Sequence, residues 1–152
     1  MSICLVDTSV FCELLRVPNM DQRHAEVIAE FEKKLKIPET LLLPMTTVLE
    51  TGNHIGQQGD GRQRREAASR FTAQVRRALE GRSPFAPTRL LNRESLLEWL
   101  DEFPEWALKG SGLGDLSILK DFEHQCALHR GRRVYIWSLD VHLSCYDRAA
   151  TL

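Results

Sequence analysis

The sequence predicts an α/β fold of three layers, a mostly parallel central sheet with helices on both faces, built as one domain over residues 1–152. Three observations carry this expectation. Short apolar runs rich in branched residues, beginning with Ile3-Cys4-Leu5-Val6, have the length and continuity of strands covered on both faces. Longer segments with apolar residues at helical spacing separate these runs, and parallel neighbours need crossovers of that kind. The first and last runs lead into an acid, Asp7 and Asp140, which puts charge at the carboxyl edge of the sheet.

Each element follows in turn. After Asp7, Ser9 is suited to cap a short helix through Val10, Phe11, Leu14 and Leu15, which the Val17-Pro18-Asn19 turn ends. A second helix starts near Asp21 and carries Ala25, Ile28, Phe31 and Leu35 on one face. Thr40 to Leu43 reads as a second buried strand, closed by Pro44. Thr46 or Thr47 then caps a helix that runs to Ile55, with Glu50 in its first turn.

Beyond the Gly56–Gly61 loop, Ala67, Phe71, Val75, Ala78 and Leu79 mark one face of a long helix rich in arginine. Ser83 to Thr88 is a connector, Thr88 to Leu91 a possible strand, and Asn92 the cap of a helix containing Leu96, Leu97 and Leu100. Trp99 and Trp106 read as packing residues. Glycines 110, 112 and 114 lead into Asp115 and a helix that Gly131 ends; they lack the lysine-serine pair of a phosphate loop and serve instead to turn the chain tightly. Arg133 to Ser138 is the last strand, followed by Asp140 and a closing helix from His142 to Arg148.

Composition bounds the function. Hydrophobic residues at 43% and charged residues at 27% are ordinary for a globular domain. No apolar run approaches the roughly 18–20 residues of a membrane span, and the basic start of a signal peptide is missing, so no membrane partner and a cytoplasmic location are expected. Cys4, Cys12, Cys126 and Cys145 form no CxxC pair and read as thiols rather than disulfides or zinc ligands. The net charge is −1, yet nine arginines and only two acids lie between Arg62 and Arg93. Guanidinium groups bind phosphate in pairs and stack on bases, so Arg62, Arg65, Arg70 and Arg76 are candidates for an RNA track.

Four acids, Asp7, Glu50, Asp115 and Asp140, occupy strand ends or first turns of helices, positions that a parallel sheet gathers at one edge. Clustered carboxylates repel, and some must hold a proton unless a cation joins them. Magnesium or manganese suits such oxygen ligands and can activate water against a phosphate. No Ser-His-Asp or Cys-His arrangement competes with that chemistry.

On Leu5-Val6-Asp7-Thr8-Ser9, Val48-Leu49-Glu50, Gly114-Asp115 and Ser138-Leu139-Asp140, the chain resembles the PIN-domain ribonucleases, and among them the VapC-type toxins of bacterial toxin–antitoxin modules. The resemblance spans Leu5 to about Leu143. It implies a PIN-like fold and a metal-dependent endoribonuclease, with Asp7, Glu50, Asp115 and Asp140 as catalytic residues holding Mg2+ or Mn2+, and Ser9 and Ser138 in support. It also implies an RNA substrate, an antitoxin protein partner and a homodimer, to which Val10, Phe11 and Leu14 would contribute apolar surface. Two features depart from the family: His142 stands where a further acid is common, and Glu50 and Asp115 are 65 positions apart. A phosphatase of the haloacid-dehalogenase type would need an acid at position 9, which is Ser9. The alternative is a catalytically inactive PIN-like module that binds RNA or serves as a scaffold.

Overall fold

In the computed structural model, which describes residues 1–152, β1 (Ser2–Val6) is the middle of a five-stranded sheet. β2 (Glu39–Leu43) and β4 (Val134–Trp137) flank it in parallel, with Leu5 opposite both Leu42 and Ile136. β3 (Phe85–Pro87) adds a parallel edge beside β2, and β5 (Asp147–Arg148) pairs antiparallel with β4. The expected mostly parallel sheet is present, and no helix is long and apolar enough to cross a membrane.

Alternation along β1 creates two cores. Cys4 and Val6 pack with Val10, Phe11, Val27, Ile55 and Ala67, which come from α1 (Thr8–Leu14), α2 (His24–Lys34), α3 (Met45–Gly56) and α4 (Gly61–Leu79). Ile3 and Leu5 face the other way, against Ile118 and Leu119 of α6 (Leu113–Leu128) and Leu143 of α7 (Val141–Ser144). The remaining helix, α5 (Arg93–Leu108), packs on α6 and covers the second core with Trp106. Helices therefore lie on both faces of the sheet. Phe11 anchors the first core, edge-on to Phe85 at 5.8 Å between ring centroids, while Phe31 stacks on Phe85 at 5.4 Å.

Several expectations need correction. Asp7, rather than Ser9, caps α1, because its carboxylate is placed to accept from the Ser9 backbone N–H. α2 begins at His24, since Glu13 is buried and draws the Arg23 N–H into a bond of 3.1 Å. α3 begins at Met45 with Pro44 as cap, which moves Glu50 from the first turn to the second. The strand near Thr88 lies earlier, at Phe85–Pro87; the Thr88 N–H completes its pairing by donating to the Leu43 carbonyl. The closing helix stops at Ser144, and the chain turns back as β5. There the Arg148 guanidinium donates to the carbonyls of Cys126, His129 and Arg132, three acceptors that a continued helix would leave unmet. Val10 and Phe11 are core residues and offer no surface to a second subunit.

The two ends of the sheet differ in chemistry. At the amino edge Lys34, only 8% exposed, lies 3.6 Å from Glu39, whose side chain is 1% exposed. Lys34 donates to the Tyr135 hydroxyl, and Tyr135 and Ser2 each donate to Glu39 Oε1 at 2.7 Å. Glu39 Oε2 has no hydrogen bond, and the charge that balances it is that of Lys34, which Glu39 shares with the more exposed Glu30 at 3.5 Å. This edge is closed by its own partners. The carboxyl edge is not.

Candidate catalytic site

β1 ends by delivering Asp7 to the carboxyl edge, 7% exposed, as the cap of α1. Its Oδ2 accepts from Ser138 Oγ at 2.7 Å and from Ser9 Oγ at 2.8 Å, with the Ser9 N–H at 3.4 Å. The hydroxyls are fixed in turn: Ser9 Oγ accepts from the Leu139 N–H and Ser138 Oγ from the Asp140 N–H, both at 3.0 Å. Loops after two neighbouring parallel strands are thus tied together at one carboxylate oxygen. All these donors converge on Oδ2 and none reaches Oδ1.

Glu50 arrives from α3. Thr47 Oγ1 ties that helix to the end of β1 by donating to the Val6 carbonyl at 2.8 Å. Thr8 Oγ1 then donates to Glu50 Oε2 at 2.9 Å, so adjacent residues of one loop orient or supply two acids. The other oxygen, Oε1, lies against the Cα of Gly114, where a methyl group would overlap it and come within 3.0 Å of Cδ. Burial pushes the Glu50 carboxyl above its ordinary value; the Thr8 bond opposes this, and the charges of Asp7 and Asp115 add to the rise.

Asp115 is the third residue of α6 and accepts from the Gly112 N–H at 3.4 Å, a capping contact. Asp140 caps α7 by accepting from the His142 N–H at 2.9 Å. Asp115 and Asp140 line one cavity of about 360 Å3, together with Lys109 and His142. Glu50 and Gly114 line a second, of about 250 Å3.

The four acids therefore lie along this edge without forming one cluster, and no three His, Cys, Asp or Glu side chains form a ready-made metal cage. The donor set still suits one kind of ion. Magnesium keeps several of its waters and takes one or two carboxylates directly, so a closed cage is not required. Burial raises Glu50 and the charges of Asp7 and Asp115 add to the rise, so Asp7 Oδ1 and the Glu50 and Asp115 carboxylates offer oxygen atoms that suit a hydrated hard cation.

The sequence marks Gly114 as a turn residue, Thr47 as a candidate cap and Thr8 as a neighbour of Asp7, and shows none of the contacts they make with Glu50 or the end of β1. Gly114 matters because α3 and α6 meet where it lacks a side chain. Gly114→Ala is expected to displace the flexible Glu50 carboxylate rather than the helices. Melting should change by no more than about 1 kcal/mol in stability, while any chemistry that depends on Glu50 should drop at least roughly tenfold. Thermal melts beside an RNA cleavage assay check this.

Asp121, also on the Glu50 cavity, is 5% exposed and accepts from Thr88 Oγ1 at 3.3 Å. Burial pushes its carboxyl up to about 6, partly offset by the Thr88 bond and the Arg89 charge. A carboxyl raised on folding stabilises the fold below its unfolded value of 3.8, and that contribution is lost as pH rises through about 6. Asp121→Asn should therefore match wild type near pH 4 and exceed it above pH 6, by up to about 3 kcal/mol. Urea melts across that range provide the measurement.

The arginines divide. Arg70 donates to the carbonyls of Leu15 and Arg16, both at 3.0 Å, and so fixes a turn in which Arg16 has a φ of 54°. Arg62 pairs with Glu66 at 3.1 Å on an exposed surface. Arg65 and Arg76 are exposed on α4 and make no ion pair. Comparison with known protein families, with curated proteins and with solved structures finds no match to this chain.

Proposed function

We propose that the chain is a divalent-metal-dependent endoribonuclease of PIN-like fold that acts as the toxin of a toxin–antitoxin pair, with Mg2+ or Mn2+ as its cofactor. The observation that carries the metal is the half-buried Glu50 carboxylate, with the charges of Asp7 and Asp115 acting on it, beside an Asp7 whose Oδ2 takes both serine hydroxyls and whose Oδ1 has no protein donor. Asp7, Glu50, Asp115 and Asp140 would hold the ion, directly or through its water. Such an ion supplies a polarised phosphate and a more acidic attacking water. Ser9 and Ser138 fix Asp7 in direction, because both donate to its Oδ2. Thr8 does the same for Glu50. The toxin role and the antitoxin partner rest on the family resemblance.

Arg62, Arg65 and Arg76 are the part of α4 offered to RNA, and Arg70 belongs to the fold. Removing Arg62, Arg65 and Arg76 together should weaken RNA binding and reduce its salt slope by up to about 3 without lowering the melting temperature. Arg70→Ala should instead cost about 1–3 kcal/mol in stability. An unchanged salt slope in the triple variant would make α4 a solvated face. The homodimer that the resemblance implies would use the exposed leucines of α5, Leu97, Leu100 and Leu108, rather than the buried Val10 and Phe11 of α1. A monomer by light scattering at micromolar concentration contradicts it.

A second reading has its own observation. Asp7, Asp115 and Asp140 all make capping contacts, which an inactive RNA-binding or scaffold module would retain for stability alone. An RNA cleavage assay with magnesium, manganese or EDTA separates the two. Cleavage with either metal and none in EDTA supports the nuclease; binding without cleavage under every condition supports the module.

A further inference from the structure

From the cavity beside Glu50 we infer a pocket for a single unstacked nucleobase, with guanine as the base that fits it. The inference deepens the nuclease reading and rests on it for the claim that the base belongs to an RNA substrate. The cavity encloses about 250 Å3. An apolar cavity of about 150 Å3 holds a benzene-sized ring, so there is room here for one bicyclic base. Leu90, Leu96, Leu113 and Trp99 supply apolar and aromatic walls, the surroundings in which proteins seat a base taken out of its stack.

The choice of base comes from Asp121. It is 95% buried in the lining of this cavity, and its single hydrogen bond, from Thr88, goes to Oδ2. No protein donor reaches Oδ1, and that oxygen is not sealed from solvent, so it is free to accept from a ligand in the cavity. An ionised carboxylate only accepts. Guanine offers it N1–H and the N2 amino group side by side. Adenine and cytosine present one amino group next to an acceptor nitrogen, and uracil one N–H between two carbonyls, so each sets a lone pair against the carboxylate. Arg89, exposed on the same lining and close enough for its charge to act on Asp121, matches the O6 and N7 acceptors on the adjoining edge of guanine. A leucine-like side chain from a protein partner would fill the walls and leave Asp121 unpaired. Hydrogen-bond complementarity to Asp121 and Arg89 therefore favours the base. Glu50 lines the same cavity, so a guanine seated there would bring its own phosphodiester to the acidic edge.

The test is a titration of the intact protein, in EDTA, with RNA tetranucleotides of uridine in which one position is replaced by guanosine, adenosine or cytidine. The guanosine tetramer should bind at least about tenfold more tightly than the others. Asp121→Asn, whose folding is checked by melting, should lose that preference, and Arg89→Gln, an exposed substitution, should reduce it. Equal binding of the four tetramers, no binding, or a preference that survives in Asp121→Asn would overturn the pocket; the absence of binding is also what a pocket made for a protein partner would show. No step uses metal or cleavage. A chain that selects guanine but cuts no RNA would overturn the nuclease reading alone, and one that cuts RNA without selecting guanine would overturn the pocket alone.

Discussion

Asp7→Asn is expected to lower RNA cleavage by at least about two orders of magnitude while leaving the fold intact. Asparagine caps a helix as well as aspartate does, and its carbonyl oxygen can still accept from Ser9 and Ser138. What it lacks is the negative charge and the second oxygen, Oδ1, to which no protein donor is aimed. Loss of activity with a preserved melting curve assigns Asp7 to chemistry. Full activity assigns it to capping, and the serines around it to nothing more than a firm loop.

The second large effect is at the opposite edge of the sheet and concerns stability alone. Lys34→Ala leaves the Glu39 carboxylate, 1% exposed, without the charge that balances it. Breaking one partner of a buried pair costs about 3–5 kcal/mol, far more than an exposed pair is worth. For a chain of this size that corresponds to a fall of roughly 6–20 °C in melting temperature. Replacing Lys34 and Glu39 together by apolar residues should cost less than the two single changes added, because neither charge is then left alone. A loss below about 1 kcal/mol in Lys34→Ala would mean that water reaches Glu39 in solution.

Much of the architecture was legible because it is local. The unbroken apolar run of β1 could be read from four residues, and its two faces follow from the pleat. The Asn92 cap was legible for the same reason, since a side chain and an amide three residues apart decide it. The misplaced features depend on partners distant in sequence. β5 exists because Arg148 finds three carbonyls around the end of α6. Arg70 looked like a surface cation because the carbonyls it holds lie 54 and 55 positions earlier. Each site acid could be picked out as a residue, but the contact of Glu50 with Gly114 joins two helices and has no trace in spacing. The acidic edge was read as a single cluster, whereas the fold spreads it over two cavities and gives three of its members capping duties.

The central claim is that this edge takes a divalent cation, and the most direct test is the melting temperature of wild type and Asp7→Asn in EDTA and in manganese. Without metal, Asp7→Asn should melt no lower than wild type, since one of the charges that raise Glu50 is gone. With manganese at ~100 times its dissociation constant, wild type should gain roughly 2.7 kcal/mol, a rise of about 5–10 °C, and the variant clearly less. A manganese shift that is absent from wild type, or equal in both proteins, would contradict the claim.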